Sequence, residues 1–209
     1  MYRLSPTMIS AVEYYLSLED EDRSAQARAE LLARMRGEPL PASEAAQKGQ
    51  AFEDMVFCLC NGDSPGEVDN KLLACGKEVA GIVKGSLWQV HVGREIGGVM
   101  LHGYIDCLRG NHIFDIKTTR KYEIGKYLHN TQHLAYLYCL RETEVRHFSY
   151  VVSDFRSVYR EDYDWYDGMV DLLKAKVAGF FDYLAVDDEM RQAYESRDHE
   201  KERNGTDQD

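Results

Sequence analysis

Hydrophobic and polar positions follow two different periods along this chain. Residues 5–18 open with "SPT", Ser and Pro in capping positions, and continue as a mixed apolar and aromatic run, which predicts a helix. Residues 20–37 are highly charged with Ala and Leu interspersed, a second and largely solvated helix that "GEPLP" at 37–41 breaks. Ser43, with Glu44 after it, starts a third, running through "EAAQKGQAFEDMVFCLC" to about Cys60. "NGDSPGE" at 61–67 is a loop. From Lys84 the texture changes: 86–92, 99–108 and 112–118 are rich in β-formers, separated by "GREIGG" and "RGN", and predict an antiparallel meander. Residues 121–141 return to a helical pattern, and "VRHFSYVV" and "SVYREDY" give two further strands. The stretch 164–186 carries Met169, Leu172, Leu173, Val177, Phe180, Phe181 and Leu184 at helical spacing and closes the pattern as an amphipathic helix. Helices, three strands, helix, two strands, helix is the order of an α/β domain with a mixed sheet covered by helices. No repeat or low-complexity linker interrupts it, so residues 1–186 are expected to form one domain.

Composition adds exclusions. At 209 residues, 44% hydrophobic and 29% charged, the chain has the make-up of an ordinary globular protein. No apolar run reaches the roughly 18 residues that span a bilayer, and "MYRLSPTMISAVEYYL" lacks the pattern of a secretory signal. The expectation is a cytoplasmic protein without a membrane partner. Five scattered cysteines (Cys58, Cys60, Cys75, Cys107, Cys139) contain no CxxC pair and read as thiols acting as small hydrophobes, not as disulfides or a zinc site. The net charge of −11 opposes a broadly basic nucleic-acid surface. It is uneven: residues 187–209 hold nine acids and four bases and carry −5, leaving −6 for the rest. That polar stretch is expected to be a helix end fraying into a disordered tail. The charge around one cleft matters more than the total.

The chemistry concentrates in the segment 99–118. If Gly110 and Asn111 make a two-residue turn, 109 pairs with 112 and 106 with 115, every pair summing to 221. Asp106 then faces Asp115 across the ladder, with Lys117 on the same side two residues on. Ile105, Cys107, Phe114 and Ile116 fall on the opposite face, an apolar set suited to a core. Opposed carboxylates repel, and burial raises the pKa of at least one unless a cation compensates. A divalent metal resolves that conflict, with the lysine placed where a phosphoryl oxygen or attacking water would sit. A surface hairpin with a cross-strand salt bridge satisfies the same spacing.

"GYIDCLRGNHIFDIKTT" followed by "QHLAYLY" resembles the PD-(D/E)XK nuclease superfamily, in particular its RecB-like branch, which includes exonucleases similar to that of phage lambda. The pattern is G-x-x-D at 103–106, D-x-K-T at 115–118 and Q-x-x-x-Y at 132–136, and the resemblance covers roughly residues 45–140. It implies a restriction-endonuclease-like core: a central mixed β-sheet flanked by α-helices. It implies Asp106 and Asp115 as metal ligands, with the backbone carbonyl of Ile116 as another and Lys117 activating water. Gln132 and Tyr136 would brace the site and contact nucleic acid, with Thr118, Thr119, Arg120, Lys121 and Lys126 as further DNA contacts. Where RecB-like members carry G-x-x-x-H, this chain has "GQAFE", so Glu53 stands at the histidine position as a third acid. His129 and His133 flank Gln132 and are expected on the helix surface. No cysteine occurs after Cys139, so no iron–sulfur cluster is expected.

An all-oxygen ligand set suits Mg²⁺ or Mn²⁺. The implied activity is metal-dependent DNA hydrolysis, leaning to exonuclease action in recombination, repair or phage DNA processing. A single-strand annealing or recombination protein is the expected kind of partner, and an oligomer is compatible with the sequence. A non-catalytic PD-(D/E)XK module that binds nucleic acid or a partner remains open, as does an unrelated metal enzyme.

Overall fold

In a computed structural model of the chain, residues 1–205 are described, with side chains through 197. They form two compact units, one comprising Met1–Pro41, Gly93–Gly103 and the chain from Asp167 onward, the other Ala42–Val92 and Tyr104–Tyr166. The architecture is α/β, a mixed six-stranded sheet with seven helices, as the sequence pattern implies. Among the described residues no helix is long and apolar enough to cross a membrane.

The first unit contains β1 (Arg3–Leu4), α1 (Pro6–Leu16), α2 (Glu21–Arg36), α6 (Met169–Val186) and α7 (Asp188–Gly205). Ser5 caps α1, its hydroxyl accepting the Met8 N–H at 3.2 Å, with Pro6 in the first turn where no N–H is needed. Asp20 caps α2 and Gly37, at φ 73°, ends it. Within the stretch 187–209 that is expected to fray into a tail, Asp188–Gly205 form α7. Met190, Ala193 and Tyr194, one helical stripe, are buried. The Asp187 carboxylate accepts the Met190 N–H at 3.1 Å and pairs with Arg28 at 3.0 Å. Three apolar residues at helical spacing are enough to dock a segment whose average is polar. Residues 206–209 of that expected tail lie outside the described residues.

The second unit holds the hairpin. Strands β2 (Leu87–Ile96) and β3 (Val99–Arg109) begin or end in the first unit, and β4 (His112–Thr118), β5 (His147–Ser153) and β6 (Val158–Asp164) complete the sheet. Its order is β1-β3-β4-β5-β6, with β2 also pairing β3. β4 is antiparallel to β3 and parallel to β5, and α5 (Thr131–Cys139) lies in the crossover between β4 and β5. Below one sheet face lie α3 (Glu44–Asn61), capped by Ser43 as expected, and α4 (Asn70–Val83), capped by Asp69 through the Lys71 and Leu72 N–H groups. Phe52 and Val56 of α3, Val79 and Val83 of α4, and Cys107, Phe114, Ile116 and Val151 of the sheet form one core. Gly76 lets the two helices close: a Cβ there would stand 2.5 Å from Met55 Cε.

Three expectations shift. The helix expected over 121–141 is regular only from Thr131, because Gly125 adopts φ 80° and Asn130 caps the Gln132 N–H at 3.0 Å, leaving 119–130 as a loop. The helix expected from 164 starts at Met169, since β6 runs on to Asp164. "GREIGG" is mostly strand, the turn being Gly97 and Gly98 at φ 59° and 82°.

Candidate active site

The hairpin register is the one its sequence predicts: Arg109 pairs with His112, Leu108 with Ile113 and Cys107 with Phe114. Only Gly110 takes a positive φ (57°), so the sign pattern is that of a type II′ turn instead of one with both central residues positive. The ladder then stops. Asp106 and Asp115, one step further, are not backbone partners, and the Asp106 Oδ2 instead accepts the Ile116 N–H at 2.9 Å. A side-chain carboxylate thus replaces a ladder acceptor and is fixed at the point where the strand pairing ends.

Asp115 is 1% exposed at the centre of the sheet, paired in register with the buried Tyr150 of β5. Its Oδ2 is ion-paired with Lys117 Nζ at 2.6 Å. Burial, and then the charges of Asp115 and Glu53, push the Asp106 carboxyl up to about 8, against the pull of Lys117 and the Ile116 N–H. Burial raises Asp115 as well, with Lys117 opposing it. Burial draws Lys117 down, but the two aspartates outweigh it and hold its ammonium above its usual range. Glu53 is raised by burial and by Asp115. These residues feel one another electrostatically as a group: three acids and one cation, with the acids in excess.

Packing explains how Glu53 arrives there. Gly49, one turn earlier on α3, faces Thr118, where a Cβ would meet Oγ1 at 3.1 Å. Glycine brings α3 against the end of β4, and Glu53, four residues on, presents to the same side. Its Oε1 accepts Gln89 Nε2 at 2.9 Å. Gln89 holds φ 50°, a backbone strain unusual for a non-glycine residue. No sequence signal marked it. Glu53, Gln89 and Asp106 share a cleft of about 630 Å³ with Phe57 and Trp88.

Gln132 is half-buried on α5, and its side chain hydrogen-bonds the Tyr136 hydroxyl. Tyr136 is 4% exposed, a placement that suits bracing Gln132 from inside more than direct contact with nucleic acid. His133, expected on the helix surface, is buried and stacks on Tyr163 at 4.2 Å, and His129 lies in the 119–130 loop instead of on the helix. Arg120, Lys121 and Lys126 are exposed, and Thr118 and Thr119 are half-buried beside them. Lys121 pairs with Glu123 at 2.7 Å, and Lys126 ties back to Thr119 and to the Lys121 carbonyl, closing the loop on itself. Glu161 anchors the same loop through the Tyr127 N–H at 3.2 Å, and the Tyr127 ring stacks on Tyr150 at 4.7 Å. Tyr127, whose hydroxyl is raised by burial and then feels the charges of Lys117, which lowers it, and Asp115, which raises it, is another neighbour that the sequence did not single out.

Among the described residues no three His, Cys, Asp or Glu side chains converge closely enough to hold a metal by themselves. Magnesium asks for less: one or two carboxylates, with water and substrate oxygens completing its shell. Asp106, Asp115 and the Ile116 carbonyl could serve as its oxygen donors, and the observation that favours them is the excess of raised carboxyls, Asp106, Asp115 and Glu53, over the single Lys117 ammonium. Glu53, held by Gln89, is the outer acid.

Solved structures share this α/β fold of a mixed sheet flanked by helices. The chain superposes on LHK-Exo in complex with dAMP with a TM-score of 0.51, at 12% identity, over 97% of this chain and 93% of that one. A provisionally named exonuclease from Eubacterium rectale gives 0.54 at 10% identity, over 93% of this chain and 82% of that one. SSO0001 gives 0.50 at 13%, over 87% and 76%. By sequence, no family model and no curated protein matches the chain.

Proposed function

We propose that this protein is a metal-dependent deoxyribonuclease that hydrolyses phosphodiester bonds, acting as an exonuclease in recombination, repair or phage DNA processing. The observation that carries this reading is the excess of carboxylate around the buried Asp115 and the half-buried Asp106, both raised chiefly by desolvation, with one ammonium, that of Lys117, paired to Asp115. Such a site is poor as a structural salt bridge, because burial penalises both charges. It suits a divalent cation.

Asp106, Asp115 and the Ile116 carbonyl would hold Mg²⁺ or Mn²⁺, which supplies Lewis-acid polarisation of the phosphoryl oxygen. Asp106 is pre-set for this by the Ile116 N–H. Lys117, kept protonated by the aspartates, neutralises charge that develops on the phosphoryl group and orients the attacking water. Gln132, braced by Tyr136, flanks the reacting group from α5. Arg120, Lys121 and Lys126 would meet backbone phosphates beside the centre. The exonuclease lean is supported by the fold shared with LHK-Exo and the Eubacterium rectale protein, and the setting would be the cytoplasm of a bacterial cell or phage-infected host, with a strand-annealing or recombination protein as a partner.

The test is degradation of linear and circular DNA, single- and double-stranded, with Mg²⁺, Mn²⁺ or EDTA, by wild type and Lys117→Ala. Loss of linear substrates only, dependent on the metal and absent in Lys117→Ala, is the expected result. Equal degradation by both proteins would sink the mechanism, and cutting of closed circles would make the enzyme an endonuclease.

A further inference from the structure

Tyr104 stands two residues before Asp106 on β3, on the same side of the strand and roughly 6.7 Å along it. It is 58% exposed, while Ile105 and Cys107 next to it on the other face are fully buried. The His91 ring lies 5.0 Å from it at 53°, so two rings stand side by side on an exposed sheet face. A second pair, Phe57 and Trp88 at 5.0 Å and 81°, lines the cleft that holds Asp106. The ionisable side chains in that cleft are Glu53, Asp54 and Asp106, all acidic. Away from a bound cation, these carboxylates disfavour a phosphate but not the uncharged face of a base.

We propose that Tyr104, with His91 beside it, is a stacking platform for an unpaired nucleobase adjacent to the bond being broken. The proposal rests on the nuclease reading of Asp106, Asp115 and Lys117. A ring in this position takes one base by stacking, which tolerates any base because each has a π-face. A paired base is already stacked within its duplex and offers no free face, so the platform favours single-stranded DNA or a frayed end over a blunt duplex. Tyr104 is then a substrate-positioning group that contributes to binding more than to the chemical step.

The experiment uses the full chain and single-stranded oligodeoxynucleotides carrying 2-aminopurine near the end. Tyr104→Ala is expected to raise KM for single strands about 5- to 100-fold, with kcat within about threefold of wild type, and Tyr104→Phe to restore it. KM on blunt duplex stays nearly constant. Tyr166→Ala, a comparably exposed tyrosine at 50%, changes neither. In a Lys117→Ala background, where the strand is not consumed, 2-aminopurine fluorescence is quenched on binding, and the quench is lost with Tyr104→Ala but kept with Tyr104→Phe. Unchanged KM and quench in Tyr104→Ala would overturn the platform, as would equal impairment of Ala and Phe variants. If wild type cleaves nothing, the nuclease reading fails and the quench alone decides the platform.

Discussion

Cys107, Phe114 and Ile116 share two strands with Asp106, Asp115 and Lys117, and the two faces of that hairpin are built on opposite terms. On one, Phe114 is 2% exposed and Ile116 7%, packed on α3 and α4. Each such side chain contributes about 1.5–3 kcal/mol by leaving water. On the other, Asp115 is as deeply buried as Phe114, and its burial opposes folding while it is charged. One face holds the sheet on its helices, and the other carries a desolvation cost that the Lys117 ion pair opposes.

The largest separation comes from Asp106→Asn. Asparagine keeps an acceptor for the Ile116 N–H but removes a carboxylate from the centre. Cleavage should fall by about 10³-fold or more, while the melting temperature of the metal-free protein at pH 8 stays level or rises. Phe114→Ala reverses the pattern: roughly 3–5 kcal/mol of stability is lost, readable by urea unfolding, with activity per folded molecule retained within a few-fold.

The same contrast should appear as a pH dependence. Asp106 is raised from an unfolded value near 4 to about 8. Between those values the folded state keeps a proton that the unfolded state has lost, so stability falls as pH rises through the window. Metal-free protein should therefore melt higher at pH 5.5 than at pH 8, and Mg²⁺ should raise the melting temperature more at pH 8. A metal-free melting curve that strengthens steadily from pH 5.5 to 8 would contradict the assignment. The smallest effect is expected of Gly49→Ala, which presses on Thr118 Oγ1: stability within about 1 kcal/mol of wild type, and activity down a few-fold as α3 shifts Glu53.

Much of this centre is legible along the chain because it is local. Asp106, Asp115 and Lys117 lie within one hairpin, so a turn and a period of two fix their side and register. Ser43 likewise announces α3. What depends on distant chain is not visible. Gln89 reaches Glu53 from 36 residues away through a strained φ that no residue type marks. The end of the ladder at Cys107 and Phe114 follows from the Asp106 carboxylate displacing a backbone partner, which alternation cannot reveal. Tyr136 carries the spacing of a surface contact yet is buried, since every residue of α5 except Gln132 is buried. Residues 68–83 carry no distinct signal in the linear pattern, and α4 takes shape through Gly76 against Met55. In α7, Met190, Ala193 and Tyr194 are too few to lift the average of an acidic stretch.

The central claim is that a divalent cation is the counter-charge for Asp106 and Asp115, and calorimetric titration with Mn²⁺ at pH 7 tests it most directly. Binding at a carboxyl held up near 8 must displace a proton. The predicted result is saturable binding whose heat varies with the ionisation enthalpy of the buffer, abolished in Asp106→Asn. Equal Mn²⁺ binding by wild type and Asp106→Asn, with no proton release, would contradict the account.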